Sequence, residues 1–537
     1  MIIFVSDMFV ENYVGGGELT SEAIINDSLL PIKKINSHLV NTKLLEQNRD
    51  KFWIFGNFSG LKDEYIIFAI KNLDYSVLEY DYKYCLFRSP EKHILNSGEC
   101  LCHKERRGKL VSIFYAKSKA TWFMSEKQRN VYLDKFPFLD NPQTKVLSSV
   151  FSQETLDYIE GLDCTNKNDK WIVLDSESWV KGKKEAVQYA EENNLNYELV
   201  WGIEYKDLLR KLADSKGLVY IPPGGDTCPR LIIEAKLLDC ELILNDNVQH
   251  RNETWFETKE GIFKYLRERT KIFWSTMENL WELDTPESSD NLNHKFNLIV
   301  PFYNAGNWIG KCINSVKNQK YDNFKCYLID DLSDDNTIDV ITKETASDNR
   351  FKLIKNTNKK YALGNIVDTL MNEDIKSEDI NILLDGDDWL SSYNVLSYLD
   401  KIYTEGNCLL TYGTYVYHPT GRQGVEPSKY PDVVVENNSF RSDQWRASHL
   451  RTFKTKLFEH IDLEDLKNDD GHFFKTAYDQ ALMLPLLEIA GSRSQYIDKI
   501  MHVYNRENPL NVDKVKQHLQ HQTAQKIRTK KPYERKF

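Results

Sequence analysis

The chain has 537 residues, more than one hydrophobic core can hold, so two to four domains are expected. Hydrophobic residues make up 41% and aromatics 12%, which argues against disorder, and the net charge of −10 argues against a global attraction to nucleic acid. No apolar run approaches the ~18 residues of a membrane span, and nine scattered cysteines suit a reducing compartment, so the expectation is a soluble, cytoplasmic protein without a transmembrane segment.

The first predicted element is a buried strand at Ile2–Val5, too short and too soon interrupted by Asp7 to be a signal peptide. The loop VGGGELTSEAI, Val14–Ile24, follows, with a helix expected over Glu18–Leu30. Its Gly16 and Gly17 allow the backbone to approach an anionic or sugar ligand closely. FWIF (Phe52–Phe55) and VSIFY (Val111–Tyr115) read as further buried strands. Between them lie Cys85, His93, Cys100, Cys102 and His103. These types suit Zn²⁺ at Cys85, Cys100 and Cys102, but the spacing is not that of a standard finger, and buried free thiols are the other reading.

Beyond a division near Phe151, strands at Trp171–Leu174, Leu218–Ile221 and Leu242–Leu244 alternate with helical stretches at Lys183–Asn193 and Tyr205–Asp214. Strand and helix in alternation predict parallel α/β sheets of Rossmann type, one over residues 1–150 and one over 151–283. WVKGKKEA, Trp179–Ala186, places Lys181, Lys183 and Lys184 near a strand end, where cations can neutralise a diphosphate. In IPPGGDTCPRLIIEAKLL, a loop carboxylate at Asp226 precedes Glu234 on the next helix, with Pro229 suited to that helix's first turn.

These features resemble the GT-B retaining glycosyltransferases of family 4, loosely between residues 60 and 170. The resemblance implies that Gly16 and Gly17 line a cleft, Lys181 contacts a diphosphate and Glu234 contacts the donor ribose. Asp226 stands where that family has its first glutamate. The arginine expected before the lysine is absent, and Arg230 is the candidate substitute. An active second transferase and a weakened copy that binds acceptor or organises assembly both remain open.

The polar run DTPESSDNLN marks a linker, taken as 284–296. A new domain is expected over 297–510. Four segments there each run from apolar strand into polar residues: Leu298–Val316, Lys325–Ile341, Phe351–Asp368 and Asn381–Leu390. Ligands bind outside the carboxyl ends of strands in open α/β sheets, so Asp330, Asp331 and the Asp385–Asp388 cluster can share one crevice. Clustered carboxylates repel one another unless a cation lies between them, and hard oxygen ligands favour Mg²⁺ or Mn²⁺, typically together with substrate phosphates. Gly386 is expected to permit a tight turn inside the cluster.

Taken together, the four segments resemble the inverting GT-A glycosyltransferases of family 2, with a mixed, mostly parallel sheet. The resemblance implies that Pro301, Tyr303 and Asn304 border the nucleotide, that Asp330 and Asp331 bind base and ribose, and that Asp385 and Asp387 hold metal and diphosphate. It implies a UDP-sugar donor as the first candidate and a downstream carboxylate as base. Asp479, at the start of an apolar helical run over Thr476–Gly491, is the candidate, with Tyr478 where an acidic neighbour is usual and Asp469 and Asp470 as runners-up. Trp445 and His449 are acceptor-side candidates, although a core role for Trp445 is equally open; His502 departs from the family spacing. The basic tail 511–537 reads as a solvated or frayed end. Three functions follow: synthesis of a glycan or polysaccharide, glycosylation of a protein or modified nucleobase, or sugar binding by a scaffold. The sequence carries no signal of oligomeric state.

Overall fold

The computed structural model describes residues 1–281, 294–511 and 517–537. The linker expected at 284–296 therefore lies outside the described residues up to position 293. Two compact units emerge, one comprising Ile2–Ser28 and Ile32–Leu283, the other Asp284–Phe537 together with Met1 and Leu29–Pro31.

The N-terminal unit contains two parallel sheets. Six strands, β1 (Ile2–Ser6), β2 (Ile32–Asn36), β3 (Phe52–Phe55), β4 (Asp74–Glu79), β5 (Ala120–Phe123) and β6 (Thr144–Val146), lie in the order 2-1-3-4-5-6. Four more, β7 (Trp171–Leu174), β8 (Tyr197–Val200), β9 (Gly217–Tyr220) and β10 (Glu241–Leu244), lie in the order 10-9-7-8. All pairings in both sheets are parallel. β1 and β3 are buried along their whole length, as interior parallel strands covered on both faces must be.

VSIFY is a correction: it belongs to the helix Arg106–Lys117, and the strand follows at Ala120–Phe123. Gly108, Val111, Ser112 and Tyr115 are buried while Ile113 is exposed, the period of a helix rather than the alternation of a strand.

The C-terminal unit is built on one mixed, curled sheet. Its strands are β11 (Phe296–Phe302), β12 (Phe324–Asp330), β13 (Phe351–Lys355), β14 (Ile380–Leu383), β15 (Trp389–Leu390), β16 (Leu410–His418), β17 (Ser448–Lys454) and β18 (Ser494–Asn505), in the order 13-12-11-14-17-16-18-15. The β13-β12-β11-β14 segment is parallel, and β17 enters it antiparallel to β14. Alternation along β11 feeds two cores: Phe296, Leu298, Val300 and Phe302 join one cluster, and Ile299 joins the other with Tyr327, Ile329 and Leu383. Because β11, β12 and β14 are parallel neighbours, their carboxyl ends lie together at one edge of the sheet.

The tail is a second correction. Residues Gln517–Arg528 form a helix, with Ile527 only 2% exposed. Arg528 donates to the carbonyls of Arg441 and Asp443 (3.0 and 2.6 Å), Lys530 to that of Asp465 (2.8 Å), and the Tyr533 hydroxyl to Asp465 (2.6 Å). Arg528 and Lys530 are thus spent on acceptors within the unit, so residues 517–530 pack rather than fray; of the expected tail 511–537, residues 512–516 lie outside the described residues.

Candidate functional site

In the C-terminal unit the strand tips surround a 610 Å³ cavity lined by Pro301, Tyr303, Asp331, Asp385, Asp387, Asp388, His449, Arg451, Tyr478 and Asp479, among others. The loop after β14 supplies its acidic floor. Gly386 donates its N–H to the Pro301 carbonyl (3.1 Å), which fixes the loop to the end of β11. A Cβ at Gly386 would lie 2.5 Å from Phe302 Cβ. The tight turn expected from sequence is present, closed by the Asp388 amide on the Asp385 carbonyl (3.0 Å), and glycine is needed in it for close approach to β11.

Each carboxylate has its own holder. Asp385 accepts from the Tyr478 hydroxyl at 2.7 and 2.9 Å, Asp387 from Asn508 Nδ2 at 2.7 Å, and Asp388 lies 2.9 Å from His502 Nε2 and accepts from the Asn505 amide at 2.8 Å. Burial raises the Asp385 carboxyl, and Asp387 adds to the effect. Burial, then Asp388, pushes Asp387 up to about 7, and burial followed by Asp385 raises Asp388 well above the usual range. Burial holds His449 and His502 neutral, His502 at about 3, with their rings stacked at a centroid distance of 4.2 Å. Both Nδ1 atoms are buried and without a partner.

Asp331 is clamped at the start of the helix Tyr361–Asn372, accepting from the amides of Lys360 (2.8 Å) and Tyr361 (3.1 Å) and from Asn356 Nδ2 (3.0 Å). Asp330 is absent from the cavity lining and accepts from the Ser333 amide (2.9 Å). Asn304 is also absent from it. Its side chain exchanges hydrogen bonds with Asp334 (2.6 and 2.9 Å), tying the end of β11 to the loop after β12. Tyr303 does face the cavity, with Lys359 Nζ 3.3 Å from its ring centroid.

Asp479 lies in the first turn of the helix Tyr478–Ala490, preceded by Ala477 at φ 50°. A left-handed alanine costs about 1 kcal/mol, and here it turns Tyr478 and Asp479 together toward the cavity. Arg451 on β17, 4% exposed, donates to the Ala447 carbonyl (3.1 Å) and to Asp479 Oδ2 (3.2 Å). Trp445 does not line the cavity and packs against the core cluster instead. Asp469 and Asp470 are likewise outside the lining. Sequence reasoning passed over Asn508, Lys359 and Lys475 and read Tyr478 only as a departure; their link to the acidic loop is tertiary, and no local pattern announces it.

The N-terminal unit holds a second cavity, of 660 Å³, lined by Gly15, Gly16, Gly17, Lys181, Tyr205, Asp226, Arg230 and Glu234, among others. The helix Gly16–Asn26 starts at this cavity with no side-chain cap at Gly15; Glu18, in its first turn, also lines the cavity, its carboxyl raised by burial and bonded to its own amide. Lys181 bonds Asp226 (2.8 Å), which also accepts from the Tyr220 hydroxyl (2.6 Å). Glu234 accepts from the Tyr205 hydroxyl (2.6 Å) and from Arg230 Nε (3.4 Å), while the Arg230 guanidinium lies over the Phe151 ring and donates to the Val150 carbonyl. Elsewhere in this unit Cys85, His93, Cys100 and Cys102 come together, and His103 stays out of the group.

Residues 297–463 match the family model for Glycosyl transferase family 2. Glycosyltransferase GlyA of Streptococcus pneumoniae serotype 4 is 23% identical over 228 residues, which cover 40% of this chain and 31% of that protein. The GalNAc(5)-diNAcBac-PP-undecaprenol beta-1,3-glucosyltransferase of Campylobacter jejuni is 27% identical over 171 residues, covering 31% of this chain and 53% of its own. The chain thus spans at most about half the length of these relatives. Among solved structures, S. aureus TarS 1-349 in complex with UDP-GlcNAc aligns with a TM-score of 0.32 at 19% identity, covering 40% of this chain and 59% of that one.

Proposed function

We propose, from the family 2 glycosyltransferase domain carried by residues 297–463, that the C-terminal unit transfers a sugar from a nucleoside-diphosphate sugar to an acceptor hydroxyl with inversion. The carrying observation is the cavity in which Asp385, Asp387, Asp388, Asp331 and Asp479 converge beside Lys359, Lys475 and Arg451. Asp385 and Asp387 would hold the divalent cation, Mn²⁺ or Mg²⁺. The fit rests on charge: these buried carboxylates are pushed toward neutrality, and a cation is what would let them ionise side by side. When bound, such a cation supplies positive charge to the departing diphosphate.

The chain's own groups do the rest. Tyr478 and Asn508 orient the two carboxylates. Asp331 offers a fixed carboxylate to the nucleoside, and Lys359 and Lys475 add charge beside the leaving group. Asp479, held by Arg451, takes the acceptor hydroxyl's proton as the oxygen bonds to the anomeric carbon. The bond from that carbon to the diphosphate oxygen breaks, and the nucleoside diphosphate leaves with the electron pair. UDP-sugars are the first donors to screen, and a glycan is the first acceptor class. Release of nucleoside diphosphate with Mn²⁺ tests the proposal. Asp479→Asn should lower kcat by about 10²–10⁴-fold while donor binding persists. Full turnover in Asp387→Ala would overturn the metal assignment.

The N-terminal cavity favours a second donor site. A helix N-terminus behind Gly15–Gly17, the Lys181 cation and the Glu234 carboxylate line one space of 660 Å³. That is the combination a nucleoside diphosphate's anionic and ribose ends require.

A further inference from the structure

We propose that Cys85, His93, Cys100 and Cys102 form a structural zinc site that holds together the segment between β4 and the helix Arg106–Lys117. One ligand atom from each residue lies within 4.8 Å of all the others. Tetrahedral zinc, with Zn–S near 2.3 Å and Zn–N near 2.0 Å, has ligand–ligand edges of about 3.5–3.8 Å. The Sγ of Cys85 lies 3.6 Å from His93 Nδ1 and 3.7 Å from Cys100 Sγ, and Cys102 Sγ lies 3.2 Å from His93 Nδ1. Two of these three distances fall on that edge length, and the third is slightly shorter. The Cys85–Cys100 separation is far beyond the ~2.05 Å of a disulfide, and all four ligands come from one stretch of chain.

The segment needs such a staple. Between Glu79 and Arg106 its regular structure is the helix Pro90–Ser97 and a single turn at Cys102–Lys104. Tyr82 and Tyr84 pack into the unit, but beyond them the large apolar side chains face outward: Leu86 is 82% exposed and Leu95 71%. Without a core of its own, such a segment is ordered by cross-linking, and a metal supplies it. The Leu86 amide points at Cys102 Sγ (3.5 Å), the kind of N–H···S contact that supports a coordinated thiolate.

Three thiolates and one imidazole make a closed set with no open position, which is the structural rather than the catalytic form. None of the four lines either cavity. The site's reach into the unit runs through Arg88, which bonds Asp81 and donates to Asn57 Oδ1 at 2.9 Å, and Asn57 does line the N-terminal cavity.

The test uses the full-length chain purified under reducing conditions. Elemental analysis should find one zinc per chain, retained in Asp387→Ala and lost in His93→Ala and in the Cys85→Ser/Cys102→Ser variant. Exchange of Co²⁺ into the wild-type chain should give the thiolate-to-cobalt charge-transfer band and the visible absorption of tetrahedral coordination. Chelation should lower the melting temperature of the wild type and of Asp387→Ala, and leave that of the zinc-free variants unchanged. If the variants fail to fold, the wild-type cobalt spectrum decides. Absence of zinc together with absence of a thiolate–cobalt band in the reduced wild type would overturn the site.

Discussion

Asp387 carries the charge of Asp388 beside it and accepts a hydrogen bond from Asn508 Nδ2 (2.7 Å). Burial and Asp388 push its carboxyl up to about 7. Unfolded, the same group ionises near pH 4. Between those values the folded chain holds a proton that the unfolded chain has lost, so this group's contribution to stability falls as pH rises from about 4 to about 7. On the proposed reading, a divalent cation takes over the role of the proton. The increase in melting temperature on adding Mn²⁺ should therefore grow across that window and level off above it, and Asp387→Asn should flatten the dependence. Thermal unfolding at paired pH values, with and without Mn²⁺, measures both. An equal Mn²⁺ effect at about pH 5 and about pH 8 would contradict the charge balance described here. Gly386 gives an independent check. Gly386→Ala puts a methyl 2.5 Å from Phe302 Cβ, and either the acidic loop or β11 must move. The expected cost is about 1–3 kcal/mol of stability. Turnover should fall by at least about tenfold, since misplacement by an ångström costs up to about a hundredfold.

At the scale of elements, the C-terminal helix Gln517–Arg528 is held by a buried ion pair outside itself. Arg441 is clamped by Glu488 (2.7 and 2.9 Å) and donates to the Ile527 carbonyl (2.7 Å), while Glu488 also accepts from the Tyr533 amide (3.0 Å). Arg441→Ala strands a buried carboxylate and frees the helix, so a loss of about 3–5 kcal/mol is expected in chemical denaturation. A loss below about 1 kcal/mol, typical of surface pairs, would place the pair in solvent. The same segment shows what sequence can carry. Apolar strands such as β1, β3 and β7 were legible because burial on both faces writes an unbroken apolar run. β2 was not, since IKKIN carries two lysines and is only partly buried. Residues 111–115 misled because a short apolar run has no period, and the helix shows only when burial at 108 is set beside that at 111, 112 and 115. In the site, the acidic loop was legible as local charge density. Tyr478 and Asn508 were not, because they meet Asp385 and Asp387 across 93 and 121 residues of chain.

At the scale of the whole molecule, each unit brings its own cavity, 660 Å³ in one and 610 Å³ in the other. The two are built on different physics. On the proposed reading, the C-terminal floor is an acidic cluster that takes a cation before it accepts a diphosphate. On the same reading, the N-terminal cavity offers a helix N-terminus and Lys181, which would take a diphosphate without added metal. Nucleoside-diphosphate titration of the full-length chain should therefore show two sites with Mn²⁺ and one after chelation. Asp387→Ala should leave only the metal-independent site. Lys181→Ala should weaken that site by about tenfold or more, since a charge-assisted hydrogen bond contributes about 1.5–3 kcal/mol, and leave the metal-dependent one intact. Lys181 is committed to Asp226 in the free chain, so part of its attraction is spent before ligand arrives, and Asp226→Asn should tighten nucleotide binding there. A single, wholly metal-dependent site in the wild type would leave the N-terminal unit without a donor role and assign its cavity to another ligand.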